Sequence, residues 1–315
     1  MSFFTQPSER PLPAGRFALA VEYQGSAYHG WQTQQGVPSV QPLLEKALTL
    51  VAQEPISVMC AGRTDAGVHA SAQVVHFDSP VARSERAWVR GGNNALPPDI
   101  RVLWARSVPE HFHARHSALA RRYRYVLHNH INRPAGLHNL VAWCHDALDV
   151  EKMQAAADLL VGEKDFSCFR SAKCQSRIAW RHMHFVRVYR RGYWIIVDIQ
   201  ANAFLHHMVR NIVGTLMKIG TGERPIEWVQ TLLEAKQRAQ AGMTAPAEGL
   251  YLIGALYPER YQLPQGPLGP HFMTLLADED PDAPYPEFLP SWHRSDLTRS
   301  QSDLYVARHH PEALR

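Results

Sequence analysis

One carboxylate stands two residues after an arginine in Gly62-Arg63-Thr64-Asp65-Ala66-Gly67-Val68-His69, an irregular polar run bounded by glycines that tolerate positive φ. A loop of this kind projects side chains from the edge of a sheet. An ionised carboxylate held there can serve as a nucleophile or as a general base. The plain structural alternative is an Asp-x-Gly turn in which Asp65 bonds its own backbone. A second run, Arg121-Arg122-Tyr123-Arg124-Tyr125, interleaves cations with aromatics and sits in an arginine-dominated stretch that also holds Arg115. Guanidinium groups contact phosphates, and aromatic faces stack on unpaired bases.

Histidines are abundant, and His69, His76, His206 and His207 invite a metal reading. None has the H-E-x-x-H spacing, and adjacent His206 and His207 would point about 100° apart on a helix, which argues against chelation by the pair. The cysteines Cys60, Cys144, Cys168 and Cys174 are scattered without a C-x-x-C spacing, so neither a disulfide framework nor a zinc site is indicated. No cofactor is expected from any motif.

With 315 residues, 45% hydrophobic and 20% charged, the chain has an ordinary globular composition and room for two domains. The N-terminal MSFFTQPSERPLPAGR meets proline and charge before any signal-like apolar run. No later stretch approaches the roughly 20 apolar residues of a membrane span. A cytoplasmic protein is the expectation. The formal net charge of +4 fits a nucleic-acid partner without establishing one.

The elements that must position these residues follow from apolar periodicity. A strand is predicted at about Phe17 to Tyr23. A helix then starts at Ser39, a capping residue, with Val40, Leu43, Leu44, Ala47, Leu48 and Val51 as its stripe. Strands at Ile56 to Cys60 and Gln73 to Phe77, a helix around Glu85 to Asn94 and a strand at Val102 to Val108 complete one β-α-β-β-α-β unit. The order recurs. It runs through a strand at Arg122 to Leu127, a helix from Asp149 to Gly162, a hairpin of Ile178 to Tyr189 and Trp194 to Gln200, a helix from Phe204 to Ile219, an extra helix opening at Pro225 and a strand at Leu250 to Leu256. This is an α+β chain of two ferredoxin-like domains, the topology that also underlies the RRM type of RNA-binding sheet. The boundaries are 16–110 and 111–262, between a flexible segment 1–15 and an extended or disordered tail 263–315.

The run Cys60 to His69 with Gln73-Val74-Val75-His76-Phe77 closely resembles the signature of the TruA family of tRNA pseudouridine synthases. Further family-like runs occur in order. They are Glu22 to Gly25 with Tyr28 to Gln32, Phe112 to Arg115, Ala120 to Tyr125, Cys174 to Arg177, Asn202 to Gly214 and Glu248 to Leu252. The resemblance implies isomerisation of uridine to pseudouridine at positions 38, 39 and 40 of the tRNA anticodon arm, without metal or organic cofactor, by a homodimer. Residue by residue it implies Asp65 as the catalytic aspartate, Tyr123 as the base-stacking tyrosine and Arg210 as an arginine pairing with the aspartate.

The chemistry suits these residue types. The C1′–N1 bond must break, the base must turn, and C1′ must join C5. Asp65 could attack the sugar or abstract a ribose proton to give a glycal, and the sequence leaves both routes open. A nearby arginine would keep it ionised against desolvation. The target base must be extruded, and Arg63 is placed to fill the gap or hold the flipped phosphate, its alternative being a salt bridge within the loop. Arg210 falls on the flank of its helix stripe, where periodicity alone favours a solvated surface arginine, and the partner role is what the resemblance implies. Tyr125 shares a strand face with Tyr123, so Tyr123 is preferred by the resemblance alone. Leu250 would line the pocket. Arg115, Arg121, Arg122 and Arg124 are the expected RNA contacts. The rival readings are a catalytically silent tRNA-binding or tRNA-folding protein on the same scaffold and a metal-dependent RNA phosphodiesterase. The second would need clustered acids, and Asp65 stands alone.

Overall fold

The computed structural model describes residues 7–264 and 269–273, and the chain divides into two units: 7–119 with 252–264, and 120–251 with 269–273. Of the expected terminal segments, residues 1–6, 265–268 and 274–315 lie outside the described residues.

In the first unit β1 (Pro11–Leu12) precedes β2 (Gly15–Tyr23), whose Phe17, Ala18, Leu19, Ala20 and Val21 are all completely buried. Both faces of this strand are covered, which is why it reads as a continuous apolar run and not as an alternation. Helix α1 (Val40–Ala52) lays down Val40, Leu44, Ala47 and Leu48, as its stripe predicts. Burying each leucine is worth about 2 kcal/mol. Ser39 takes the extended N-cap backbone, but its hydroxyl makes no capping bond.

The short β3 (Met59–Cys60) and the long β4 (His69–Ser79) follow, then β5 (Arg83–Ser84), which pairs with β1. A π-helical turn at Ala87–Gly91 runs into α2 (Gly92–Ala95), before β6 (Ile100–Ser107). Strand β2 lies antiparallel between β4 and β6. Phe17, Phe77 and Trp88 pack together beneath them, with ring centroids 5.0 to 5.7 Å apart. The β2–β4 ladder shifts register between Val21 and Tyr23, the irregular end of the strand from which the 62–69 loop is reached.

The second unit opens with β7 (Ala120–Asn129), to which β8 (Ala142–Cys144) pairs in parallel. Helix α3 (Val150–Asp158) is capped by the Asp149 carboxylate, which accepts from Lys152 N. Strand β9 (Gly162–Asp165) pairs with the start of β10 (Trp180–Arg191), which forms a hairpin with β11 (Trp194–Ala201). Strand β11 in turn pairs antiparallel with β7. Helices α4 (Met208–Gly220) and α5 (Trp228–Ala235) complete the unit, and β12 (Leu250–Leu256) returns the chain to the first unit, where it lies beside β4.

The chain is thus a mixed α/β protein, mostly of antiparallel ladders. Several boundaries expected from the sequence need correcting, among them the extra helix, which opens at Trp228 and not at Pro225, and the strand expected at Ile56 to Cys60, which is only Met59–Cys60. Helix α4 starts at Met208 and not at Phe204, because His207 takes a left-handed backbone (φ 62°) that stops helix propagation toward the N-terminus. Helix α3 ends at Asp158, and Gly162, expected to close it, uses its positive φ (96°) at the start of β9. No helix among the described residues is long and apolar enough to cross a membrane.

Candidate active site

The 62–69 loop is anchored at both ends by the sheet of the first unit. Met59 and Cys60 pair with His76 and Val75, and Ala61 N donates to Val74 O at 2.8 Å. Buried Gln73 then grips Gly62 with both ends of its amide, Nε2 donating to the carbonyl and Oε1 accepting from the N–H. A fully buried glutamine within an apolar strand is costly unless both its groups are used, and here the loop uses them.

Thr64 is held twice. Its carbonyl accepts from Trp31 N at 3.1 Å, and its hydroxyl lies 2.8 Å from that of Tyr23, both side chains being buried. Downstream, Gly67 N donates to Tyr28 O at 3.2 Å, and Val68 N donates to Asp65 O at 3.1 Å. The turn predicted for Asp-x-Gly therefore exists, but the main-chain carbonyl of Asp65 makes it. Burial, helped by a 2.7 Å bond to Asp99, pushes the Tyr28 phenol well above its ordinary pKa. His69 is completely buried and its Nδ1 accepts from Gly25 N at 2.9 Å, which requires that nitrogen to be unprotonated. Gly30 is obligatory on two counts: its φ is +88°, and a Cβ there would stand 2.4 Å from Thr64 O. These fixings leave Asp65 half-exposed and Arg63 exposed, between backbone segments that cannot easily shift.

In the second unit, Tyr123 is almost buried on β7, its ring edge-on to Phe204 with centroids 5.1 Å apart. Tyr125, on the same strand face, is fully buried and donates its hydroxyl to Pro246 O at 2.9 Å. The two tyrosines, equivalent by periodicity, are separated by this bond. Arg210 on α4 donates Nε to Ala245 O at 2.7 Å, while Ala245 N donates back to Arg210 O at 3.1 Å.

That exchange belongs to a strap, residues 238–245, laid along α4. Arg238 and Thr244 both bond the Asn211 amide oxygen, and Gly242 N donates to Thr215 Oγ1. Gly214 permits the approach, since a Cβ there would meet Met243 O at 1.8 Å. The strap leads to Leu250, buried at the start of β12.

The expected RNA contacts divide. Arg115 is exposed and Arg121 half-exposed, donating to Asn202 O at 3.1 Å. Arg122 and Arg124 are buried and converge on Asp198: Arg122 binds it bidentately at 2.7 and 2.6 Å, and Arg124 Nε lies at 2.9 Å. Burial alone would raise the Asp198 carboxyl, but the two guanidinium groups overcome it and hold the pKa below the ordinary value. His206 and His207, expected to diverge on a helix, instead precede α4 and stack at 4.0 Å between centroids.

A family model described as tRNA pseudouridine synthase matches residues 19–117 and 156–258, spanning the 62–69 loop, the 202–214 run and the strap. The chain belongs to the tRNA pseudouridine synthase family. Members of this family are isomerases that convert uridine to pseudouridine in tRNA. The tRNA pseudouridine synthase A of Pseudomonas aeruginosa PAO1 is 56% identical over 264 residues, covering 84% of this chain and 93% of its own length. Proteins of the same name from Shigella boydii serotype 4 and Escherichia coli SE11 are each 54% identical over 266 residues, 84% of this chain and 98% of theirs. Among solved structures, a chain of a Cbf5-Nop10-Gar1 complex aligns at 11% identity with a TM-score of 0.27, over 64% of this chain and 54% of that one.

Against this family background, several supports of the site went unread in the sequence. The Tyr23–Thr64 hydroxyl pair, the Gln73 grip and the His69 acceptor all depend on contacts across 11 to 44 positions of chain. Gln73 and His69 carried a usable signal, as polar residues inside a strand buried everywhere except at Asp78. Phe204 and the strap carried none.

Proposed function

We propose that this protein converts uridine to pseudouridine at positions 38, 39 and 40 of the tRNA anticodon arm, with Asp65 as the catalytic carboxylate. The observation that carries the reading is the loop itself. It presents one half-exposed carboxylate whose neighbours Thr64 and Gly67 are fixed by Tyr23, Trp31 and Tyr28. A carboxylate that must meet C1′ of a flipped nucleotide gains most from such preorganisation, since small misplacements are costly in rate. Asp65 either attacks C1′, displacing N1 of uracil as the glycosidic bond breaks, or removes a ribose proton to give a glycal. The freed base turns, C5 bonds to C1′, and the C5 proton leaves.

Arg63, exposed beside Asp65, holds the extruded nucleotide. Tyr123 stacks on the flipped uracil, and its edge-on contact with Phe204 sets the ring plane. Arg210, aimed by Ala245, and Leu250 complete the substrate contacts. Arg115 and Arg121 are the accessible members of the predicted RNA footprint. Arg122 and Arg124 support it through their buried pairing with Asp198. No metal or organic cofactor is required by this chemistry.

The sequence order β-α-β-β-α-β, read twice along the chain, is the support for a pair of ferredoxin-like domains, 16–110 and 111–262, although β12, the closing strand of the second set, groups with the first unit. A homodimer in the cytoplasm completes the reading. The test is product mapping on tRNA labelled at C5 of uracil. Tritium release with pseudouridine at the three neighbouring positions is expected. Modification elsewhere, or none on tRNA that the protein binds, would overturn it.

A further inference from the structure

From Phe166 to Val197 the chain contains no aspartate or glutamate, but it carries Arg170, Lys173, Arg177, Arg181, Arg187, Arg190 and Arg191. Three of these cations serve the fold, Arg170 by donating to Cys174 O at 3.3 Å. Arg181 is buried and ties the preceding loop together, donating to Ile178 O and Ser176 Oγ at 2.9 Å. Arg190 donates to Asn129 Oδ1 and Leu148 O.

Lys173 and Arg177 are exposed on the loop before β10, and neither makes an ion pair among the described residues. This loop is seated on the segment leading into α4: Ser171 N donates to His206 O at 3.1 Å, and His206 N to Cys174 Sγ at 3.4 Å. It therefore flanks the helix that carries Arg210. Beyond it, Phe185, Arg187, Tyr189 and Arg191 share one face of β10 by the period of two. The Arg187 guanidinium lies 5.0 Å from the Phe185 ring centroid. Strand β9 covers β10 only as far as Met183, so residues after it form the outer strand of the described sheet in this unit.

Charges on an outer strand commonly serve to prevent edge-to-edge association. That role calls for charge of either sign on the strand alone. It does not account for a single sign kept through the loop and the strand together, nor for the alternation with aromatic rings. Both features suit a polyanion with sugar and base faces.

We propose that Lys173, Arg177, Arg187 and Arg191 form a second tRNA contact, a basic track that carries the RNA backbone from the Arg210 side of this unit along β10 toward the tRNA body. From Trp180 to Arg191 the strand extends roughly 37 Å at about 3.4 Å per residue. The loop end of the track thus meets RNA close to the nucleotide that Arg210 and Tyr123 are proposed to hold, and the far end meets RNA remote from it. The inference rests on the tRNA reading above.

The experiment titrates two paired variants, Lys173→Gln with Arg177→Gln and Arg187→Gln with Arg191→Gln, against whole tRNA and an isolated anticodon stem-loop over a KCl series. Each pair is expected to weaken whole-tRNA binding about tenfold and to reduce the salt slope by about 1 to 2. The loop pair weakens both RNAs, whereas the strand pair weakens whole tRNA alone. An Arg187→Lys, Arg191→Lys control should restore the slope, separating lost charge from lost folding. Unchanged slopes with whole tRNA overturn the track. Equal weakening of both RNAs by the strand pair overturns its direction. A changed mass in solution with unaltered tRNA binding makes this face an interface between copies instead. Binding is read without turnover, so failure of wild-type protein to isomerise uridine counts against the proposed function and not against the track.

Discussion

Asp65 and Asp198 are both aspartates close to arginines, yet they have opposite surroundings. Asp198 is completely buried and receives three hydrogen bonds from two guanidinium groups. Asp65 is half-exposed, in a loop where it is mainly the backbone and the neighbouring residues that are pinned. A carboxylate whose lone pairs are spent on buried cations can hold strands together but cannot meet a substrate. One presented by a rigid loop can. Residue type near arginine is therefore a poor guide to role, and burial is a better one.

The contrast can be broken most sharply by substitution. Asp65→Asn should cost at least about a thousandfold in turnover while the melting temperature stays within a few degrees, as expected for a catalytic group whose loss leaves binding and fold intact. Asp198→Asn should act the other way round. It leaves two buried guanidiniums without their counter-charge, a loss of roughly 3 to 5 kcal/mol of stability. Chemical denaturation and single-turnover kinetics on the same samples separate the two. If Asp198→Asn proves as stable as wild type, the ion cluster is not structural.

The paired tyrosines repeat the comparison at smaller scale. Tyr125→Phe removes the donor to Pro246 O and should destabilise by about 1 to 2 kcal/mol. Tyr123→Phe should be close to neutral for stability but lower the rate at saturating tRNA. Equal effects of the two on both measurements would erase the distinction.

Acid supplies the smallest and most specific test. His76 is buried, its Nδ1 accepts from Ala114 N at 3.1 Å, and burial, with nearby Arg16, lowers its pKa to about 4. The unfolded chain, with an ordinary histidine pKa of about 6.5, binds the proton first. The contribution of His76 to stability is thus whole above about pH 6.5 and is lost as the pH falls toward about 4, below which it levels off. Asp198, with a depressed folded pKa, adds its loss only below the ordinary carboxylate range, as pH falls through its folded value. Comparing wild type with His76→Gln should show a stability difference that shrinks across the upper window. A constant difference would mean that His76 is not neutral in the fold.

Much of this was legible in the sequence because it is local. The stripe of α1, the hairpin around Gly192, the span of β12 and the 62–69 loop are written in consecutive residues. What was missed is set by distance along the chain or by a single backbone state. The left-handed turn at His207 shortens α4 against its apolar pattern, and the pairing of Arg122 and Arg124 with Asp198 joins positions more than seventy residues apart. Period-two reasoning put Tyr123 and Tyr125 on one face correctly, but only the carbonyl of Pro246 distinguishes them.

The most direct test of the central claim is single-turnover release of C5 tritium from labelled tRNA by wild type and Asp65→Asn, with tRNA affinity measured in parallel. The account predicts release by wild type, none by the variant, and affinities within a few-fold of each other. Release by Asp65→Asn at an undiminished rate would contradict it.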